Sequence, residues 1–421
     1  MYNNLKEFIQ GFLSRSGSSV FTAMLSARVL SFFASWLALQ LINQKDLGLV
    51  IYAYSFLIFI IPIGDFGLNQ GYLRYASISN NQKSKDDLFI YTIKRGISVS
   101  MIFSLTLMML SYVFIRQNHQ LRSYFMILSF SLVSFYFLEL SKNHFRINHK
   151  NNEFAKLEIT YYIILVLLVG ILGYFYHALG YCIAIAVSPL LAVVFFIKKA
   201  DFRLIDYIKP DFVNASFWRY GFFAGMANVA TQLLYAIDMI LIGFLLHNSE
   251  LVTHFKYVSL IPYSLLFIPS IFITADFVKI TENINQVSHT KKYISNYQSF
   301  FLIISFGVLL LAFLFPKFIL SLFSKDYIQY VMTFRILMVG VIGVLLLRGL
   351  FGNLLSSIGK AHLNFWIALG TLALNLILNY MFIPKYGLNG AAITSATIMW
   401  VSGILSYILF NFYYKKLTLN E

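Results

Sequence analysis

Apolar runs of about twenty residues, parted by short polar or Pro- and Gly-bearing breaks, recur from end to end of this 421-residue chain. A bilayer core about 30 Å thick takes roughly 20 apolar residues per helical crossing. Soluble domains hold about 45–50% apolar and about 25% charged residues; here the figures are 59% and 12%. The chain therefore reads as an all-α integral membrane protein with little mass outside the bilayer.

Hydropathy and breakers place spans near 18–42, 48–72, 89–115, 121–141, 155–176 and 178–197, then near 213–246, 255–276, 295–316, 327–351, 361–383 and 387–413. The polar segment 198–212 reads as a cytoplasmic linker between an N-terminal six-helix lobe (1–197) and a C-terminal one (213–421). With the N-terminus in the cytoplasm, 21 Lys and Arg fall on cytoplasmic segments and 7 on the opposite side. Basic residues stay preferentially on the cytoplasmic side, so twelve spans with both termini cytoplasmic are expected. The formal charge of +15 is then an orientation signal, and nucleic acid is not an expected partner. Leu41-Ile-Asn-Gln-Lys-Asp-Leu47 also echoes Leu245-Leu-His-Asn-Ser-Glu-Leu251 at an offset of 204, as a duplication into parallel halves would leave.

Several chemistries are excluded. One cysteine, Cys182, allows no intramolecular disulfide, and the eight histidines form no ligand-spaced cluster. No metal or cofactor is expected. The first eighteen residues, with Lys6, Glu7 and Arg15, are too polar for a cleavable signal peptide. Gly352-Asn-Leu-Leu-Ser-Ser-Ile-Gly359-Lys360-Ala361 imitates a phosphate loop, but six residues separate the glycines where four are needed, and Ala361 replaces the Ser or Thr. The loops are too short for a catalytic domain, so an enzyme is not expected.

Leu374–Ala396, LNLILNYMFIPKYGLNGAAITSA, ends one apolar helix at Ile-Pro-Lys-Tyr-Gly and restarts another on Gly390-Ala-Ala392. The segment resembles the junction of the eleventh and twelfth helices in polysaccharide exporters of the MOP superfamily. Leu41–Phe56, Ile63–Ser77 and Tyr235–Leu246 resemble that family's first loop, the end of its second helix and its seventh helix. Length and junction resemble most the Wzx-type flippases for O-antigen or similar repeat units.

The resemblance implies two six-helix lobes around a central cavity that opens alternately to each side, a MOP/MATE-like fold. It implies a transporter of the bacterial inner membrane that flips undecaprenyl-diphosphate-linked oligosaccharides to the outer face without making or breaking a bond. Membrane lipids, a polymerase and chain-length regulator of the same pathway, and H+ or Na+ as coupling ion are the implied partners. A lipid II flippase, a MATE-like antiporter and a membrane repeat-unit polymerase are the alternatives.

Ionisable groups inside a bilayer cost a few kcal/mol each and usually face a cavity or a partner. Arg28, about 15 Å into the first span, stands in Leu25-Ser-Ala-Arg-Val-Leu30, which resembles a first-helix stretch of lipid II flippases whose arginine lines the cavity. Cations suit the diphosphate, because arginine's fork of donors matches phosphate oxygens. Asp238 would pair with an arginine such as Arg28 or exchange a proton. Arg335 and Arg348, thirteen residues apart on the tenth span, point to different faces. Lys256 opens the eighth span and would meet a head group or the surface. Arg219 is expected to snorkel. Asp65 and Arg74, near the end of the second span, are explained by helix capping or pairing with the other lobe as well as by transport, and Glu139 and Lys142 are read as an i,i+3 pair.

Overall fold

A computed structural model describes residues 18–79, 81–148, 150–199, 213–266, 268–269, 280, 284, 286–358 and 360–419. Most of the expected linker, from 200 on, and the later part of the eighth span lie outside the described residues. Among those described, eight helical stretches are long and apolar enough to cross a membrane. Two shorter apolar helices, Leu25–Leu41 and Ala236–Leu246, coincide with the first and seventh expected spans.

Contacts divide the chain into two compact units. The first, Thr22–Ile240, holds α1 (Ser18–Leu41) for most of its length, α2 (Gln44–Ile60), α3 (Leu68–Ile78), α4 (Gln82–Phe114), α5 (His119–Ser129), α6 (Ser131–Ile147) and α7 (Asn151–Phe196). It also takes most of α8 (Ala215–Leu246). Asparagine side chains start these helices repeatedly. Asn43 accepts from Asp46 N at 2.8 Å, Asn81 from Lys83 N at 3.0 Å and Asn118 from Leu121 N at 2.9 Å. Each satisfies an N–H that the helix itself leaves open. The expected second span is broken: α2 ends in a 3-10 turn, Ile61–Ile63, and α3 starts only at Leu68. Pro62 stands at the start of that turn, and Phe66 and Gly67 have φ of 53° and 80°. The core beneath α3 is built from Leu68, Tyr72, Leu88, Phe89, Leu140 and Phe217.

The second unit consists mainly of Leu241–Glu421. It holds α9 (Ser249–Leu265), α10 (Val287–Leu314), α11 (Pro316–Ser321), α12 (Val331–Gly343), α13 (Gly349–Ser357), α14 (Ala361–Tyr386) and α15 (Leu388–Leu419). Asn248 starts α9 by accepting from Glu250 N at 2.9 Å, so the echo between the two loops is an asparagine cap followed by an acid in the first turn. Between α12 and α13 the backbone widens into a π-helical turn, Val344–Arg348. Gly340 and Gly343 let α15 approach there, with Ala396 and Trp400 where a Cβ would stand.

The junction in Leu374–Ala396 is tighter than expected. Pro384, Lys385 and Tyr386 all remain helical, and the turn narrows to Gly387, with φ 57° and ψ −133°. Proline removes one bond of the ladder, but the Gly387 N–H still reaches Ile383 O at 2.8 Å. The same turn occurs in the first unit. His177 breaks α7 with φ 47° and ψ −124°. Three residues on, a Cβ at Gly180 would collide with Leu172 O, as one at Gly390 would with Phe382 O. These hairpins correspond at an offset of 210 residues, which is stronger support for two related halves than the short echo in the loops.

The first hairpin places histidine where the second has glycine. A non-glycine residue in this backbone region costs about 1–3 kcal/mol, whereas Gly387 has open space around it and only its freedom to lose. His177→Gly is expected to raise thermal stability by about 1 kcal/mol after the entropy gained by the unfolded chain is deducted. Gly387→Ala is expected to lower it by a similar amount. Thermal unfolding of the purified protein in detergent measures both.

Candidate functional site

Open helix faces differ in kind along the chain. On α4 the open face carries Met101, Ile102, Leu105 and Met109, and on α10 Leu302, Ile303, Phe306 and Leu310. Such faces suit lipid. On α9, Val252, Phe255, Tyr257, Val258 and Pro262 are buried, and from Lys256 on the less buried residues are Lys256, Leu260, Ile261, Tyr263, Ser264 and Leu265. Lys256, Leu260, Tyr263 and Ser264 among them recur at the three- and four-residue spacing of one helix face, and that stripe holds all three polar residues of the set. Tyr263 donates to Ser395 Oγ at 3.2 Å.

Lys256 sits about 11 Å along α9 from Ser249, at 1.5 Å per residue. It is half-buried, and among the described residues its Nζ has no hydrogen-bond or ion-pair partner. An ammonium held in apolar surroundings without a counter-charge is costly, and an anion entering beside it would relieve that cost.

The other candidates have different surroundings. Arg28 is exposed on α1 and lies within electrostatic reach of Tyr162 on α7, together with Glu158, Lys142 and Glu139. Asp238 is buried in α8. Arg335 donates to Ala312 O and Phe313 O at 3.4 and 3.1 Å, closing the last turn of α10 while its guanidinium lies over the Phe313 ring. Arg348, at the end of the π-helical turn, donates from Nη1 to Asn364 Oδ1 at 3.0 Å and Ser406 Oγ at 2.6 Å. A Cβ on Gly352 would stand 3.3 Å from that Nη1, so the glycine makes room for the bond. Arg335 and Arg348 are thus anchored on different helices. Arg219 is exposed.

Some partners were invisible in the sequence. Lys142 pairs with Glu139 at 2.9 Å as its spacing suggests, but also with Glu158 of α7 at 2.9 Å. Asn379 and Asn375, buried on α14, hydrogen-bond each other at 2.8 Å; their i,i+4 spacing in an apolar helix was the available signal. Neither Arg74 nor Asp65 makes an ion pair among the described residues. The Arg74 guanidinium lies 4.2 Å over the Tyr220 ring, and Asp65 caps α3 instead.

At the start of α9, before the expected eighth span, buried His254 exchanges a hydrogen bond with Tyr330 at 2.8 Å and meets the edge of Tyr327. Burial lowers its pKa below the usual value, outweighing Glu250 and Asp326, which raise it. The folded state therefore favours neutral imidazole. Its contribution to stability is full above the usual value of about 6.5 and is lost as pH falls below it through the lowered folded value. His254→Asn is expected to flatten this acid-side decline, read as the difference in thermal unfolding between about pH 7.5 and pH 5.5.

No protein-family model matches the chain. A capsular polysaccharide biosynthesis protein, CapF of Staphylococcus aureus, is 32% identical over 112 residues, 26% of this chain and 27% of that protein, so the match spans about a quarter of its length. Among solved structures, an inward-facing multidrug resistance MATE family transporter of the MOP superfamily is similar with a TM-score of 0.75 and 13% identity, over 93% of this chain and 95% of its own. The lipid II flippase MurJ in an inward closed conformation gives 0.75 and 17%, over 95% and 90%. A eukaryotic MATE transporter gives 0.64 and 14%, over 99% of both proteins. The chain is therefore a multi-pass, all-helical membrane protein with the transporter fold shared by MATE proteins and MurJ.

Proposed function

We propose that this protein flips undecaprenyl-diphosphate-linked oligosaccharide repeat units, of O-antigen or a similar surface polysaccharide, from the cytoplasmic to the outer face of a bacterial inner membrane. The observation that carries this reading is the polar stripe of α9 with Lys256 on it, whose Nζ has no partner among the described residues. A lipid-facing helix has no use for an ammonium, whereas a water-filled path for an anionic head group does. Arg28, exposed on α1, is by itself a cation of the type suited to phosphate oxygens. Two turns further along the same face, the hydroxyl oxygens of Tyr263 and Ser264, whose protons go to Ser395 Oγ and Leu260 O, can still accept from sugar hydroxyls. The similarity to MurJ, a flippase, and the partial match to a capsule-synthesis protein agree with a substrate of this class.

The protein's own task is then binding, orientation and release: cations neutralise the diphosphate, polar faces carry the glycan, and the lipid tail stays in the hydrocarbon. A MATE-like reading, export of a cationic drug, shares the fold but places the ligand against the Lys256 face of α9, where like charges repel. The test is mass spectrometry of undecaprenyl-linked glycans, resolved by membrane face, in cells with and without the gene. Complete repeat units accumulating on the cytoplasmic face, with surface polymer lost, is the expected result. Single units reaching the outer face and failing to polymerise would instead indicate a polymerase.

A further inference from the structure

The break between α2 and α3 carries a second polar centre that the flippase reading does not use. Asp65 is 4% exposed. Its Oδ1 accepts from Gly67 N at 2.8 Å and its Oδ2 from Asn69 N at 2.9 Å, which caps α3. Two N–H bonds satisfy lone pairs, but they do not neutralise the charge. Among the described residues no lysine, arginine or histidine pairs with it. Arg74 on its own helix lies over Tyr220. Lys142 and His144, on α6, are held by Glu139 and Glu158 and by Tyr72. Arg219 on α8 is exposed. The titratable group that faces Asp65 is Tyr136 of α6.

A second observation lies beside the first. The Asn69 side chain hydrogen-bonds the Asp65 carboxylate and donates to Tyr136 O at 3.4 Å. Its Oδ1 has no partner among the described residues and is buried, on a residue 8% exposed. A buried amide oxygen left open costs about 1–3 kcal/mol and needs an explanation. A carboxylate lacking a cation and an oxygen lacking a donor, side by side at a helix break, describe one missing positive charge. Broken membrane helices commonly supply such oxygens to small cations.

We infer that Asp65, Asn69 and the non-helical backbone of residues 61–67 form a binding site for a monovalent cation, either a proton or sodium. A divalent ion is a poor match, because one carboxylate balances a single charge and calcium-type sites gather several. The site sits against α8, where Gly67 meets Gly221 and a Cβ on Gly225 would stand 3.1 Å from Pro62 O. Occupancy therefore stabilises the seam between the break and α8. This inference does not depend on what the protein carries.

The test is thermal unfolding of the full-length protein in lipid nanodiscs, followed by intrinsic fluorescence, with sodium chloride exchanged for choline chloride at constant ionic strength. If sodium is the ligand, the wild type gains roughly 5 °C at saturating sodium, and Asp65→Ser and Asn69→Ala lose that gain. If a proton is the ligand, sodium has no effect and the wild type gains stability relative to Asp65→Ser as pH falls from 8 to 5. Serine keeps a capping oxygen, so loss of the cap does not mask the result, and Asp65→Asn serves as the second variant. An Asp65→Ser variant that keeps the wild-type response to both sodium and pH overturns the inference. So does a wild type that responds to neither.

Discussion

Lys256→Glu is expected to abolish surface polymer and leave repeat units on the cytoplasmic face. Lys256→Ala should reduce transport by about 10–100-fold, and Lys256→Arg should retain most of it. The magnitude follows from a charge-assisted bond to phosphate, worth about 1.5–3 kcal/mol, and from repulsion when the sign is reversed. The variant also separates function from folding. Because Nζ has no partner among the described residues, Lys256→Ala should unfold at the wild-type temperature or above it. Equal loss of stability and transport would mean that Lys256 is a packing residue, and the proposed role would fall. Lipid-linked glycan levels and thermal unfolding of the same preparations provide the two readouts.

Gly67→Ala is expected to have the largest effect on stability, above about 4 kcal/mol, a size reserved for severe steric or core defects. Two independent costs coincide there. The backbone at φ 80° disfavours any Cβ, and the added carbon would collide with the carbonyl carbon and oxygen of Gly221. A flexible side chain yields to such a clash; two backbones do not. Gly71→Ala is the comparison. Its Cβ would meet only the Phe217 ring, at 2.6 Å, and ring movement should keep the loss well below that of Gly67. Folded yield by fluorescence-detected size exclusion ranks the two, and a Gly67→Ala variant that accumulates like wild type would contradict the close packing of the α2–α3 break against α8.

Much of the helical layout was legible because the bilayer imposes it locally. Each crossing must be apolar for its full length and must close its own hydrogen bonds, so spans such as 18–42 and 361–383 can be read from composition and breakers alone. Caps are local too, as Asn43 and Asn248 illustrate. The limits appear where the energy of a residue depends on a distant neighbour. Ile63–Ser77 read as an ordinary helix end, yet Asp65, Phe66 and Gly67 form a break that exists because Gly221 lets α8 lie against it. Pro384 suggested a turn, but the helix continues to Tyr386, since one missing bond near a helix end is a small loss.

The intramembrane charges divide the same way. Sequence singled out Arg28, Lys256, Arg335, Arg348 and Asp238 because any ionisable group at membrane depth needs a reason to be there. It could not distinguish a cation occupied by carbonyls, as Arg335 is at Ala312 and Phe313, from one that has no acceptor among the described residues, as Lys256 is. Hydropathy is a sum over neighbours along the sequence, so the sequence by itself determined that this protein is a helical, multi-pass membrane protein. Which charges find partners within the protein depends on pairings across tens or hundreds of residues, and only the tertiary structure decided those.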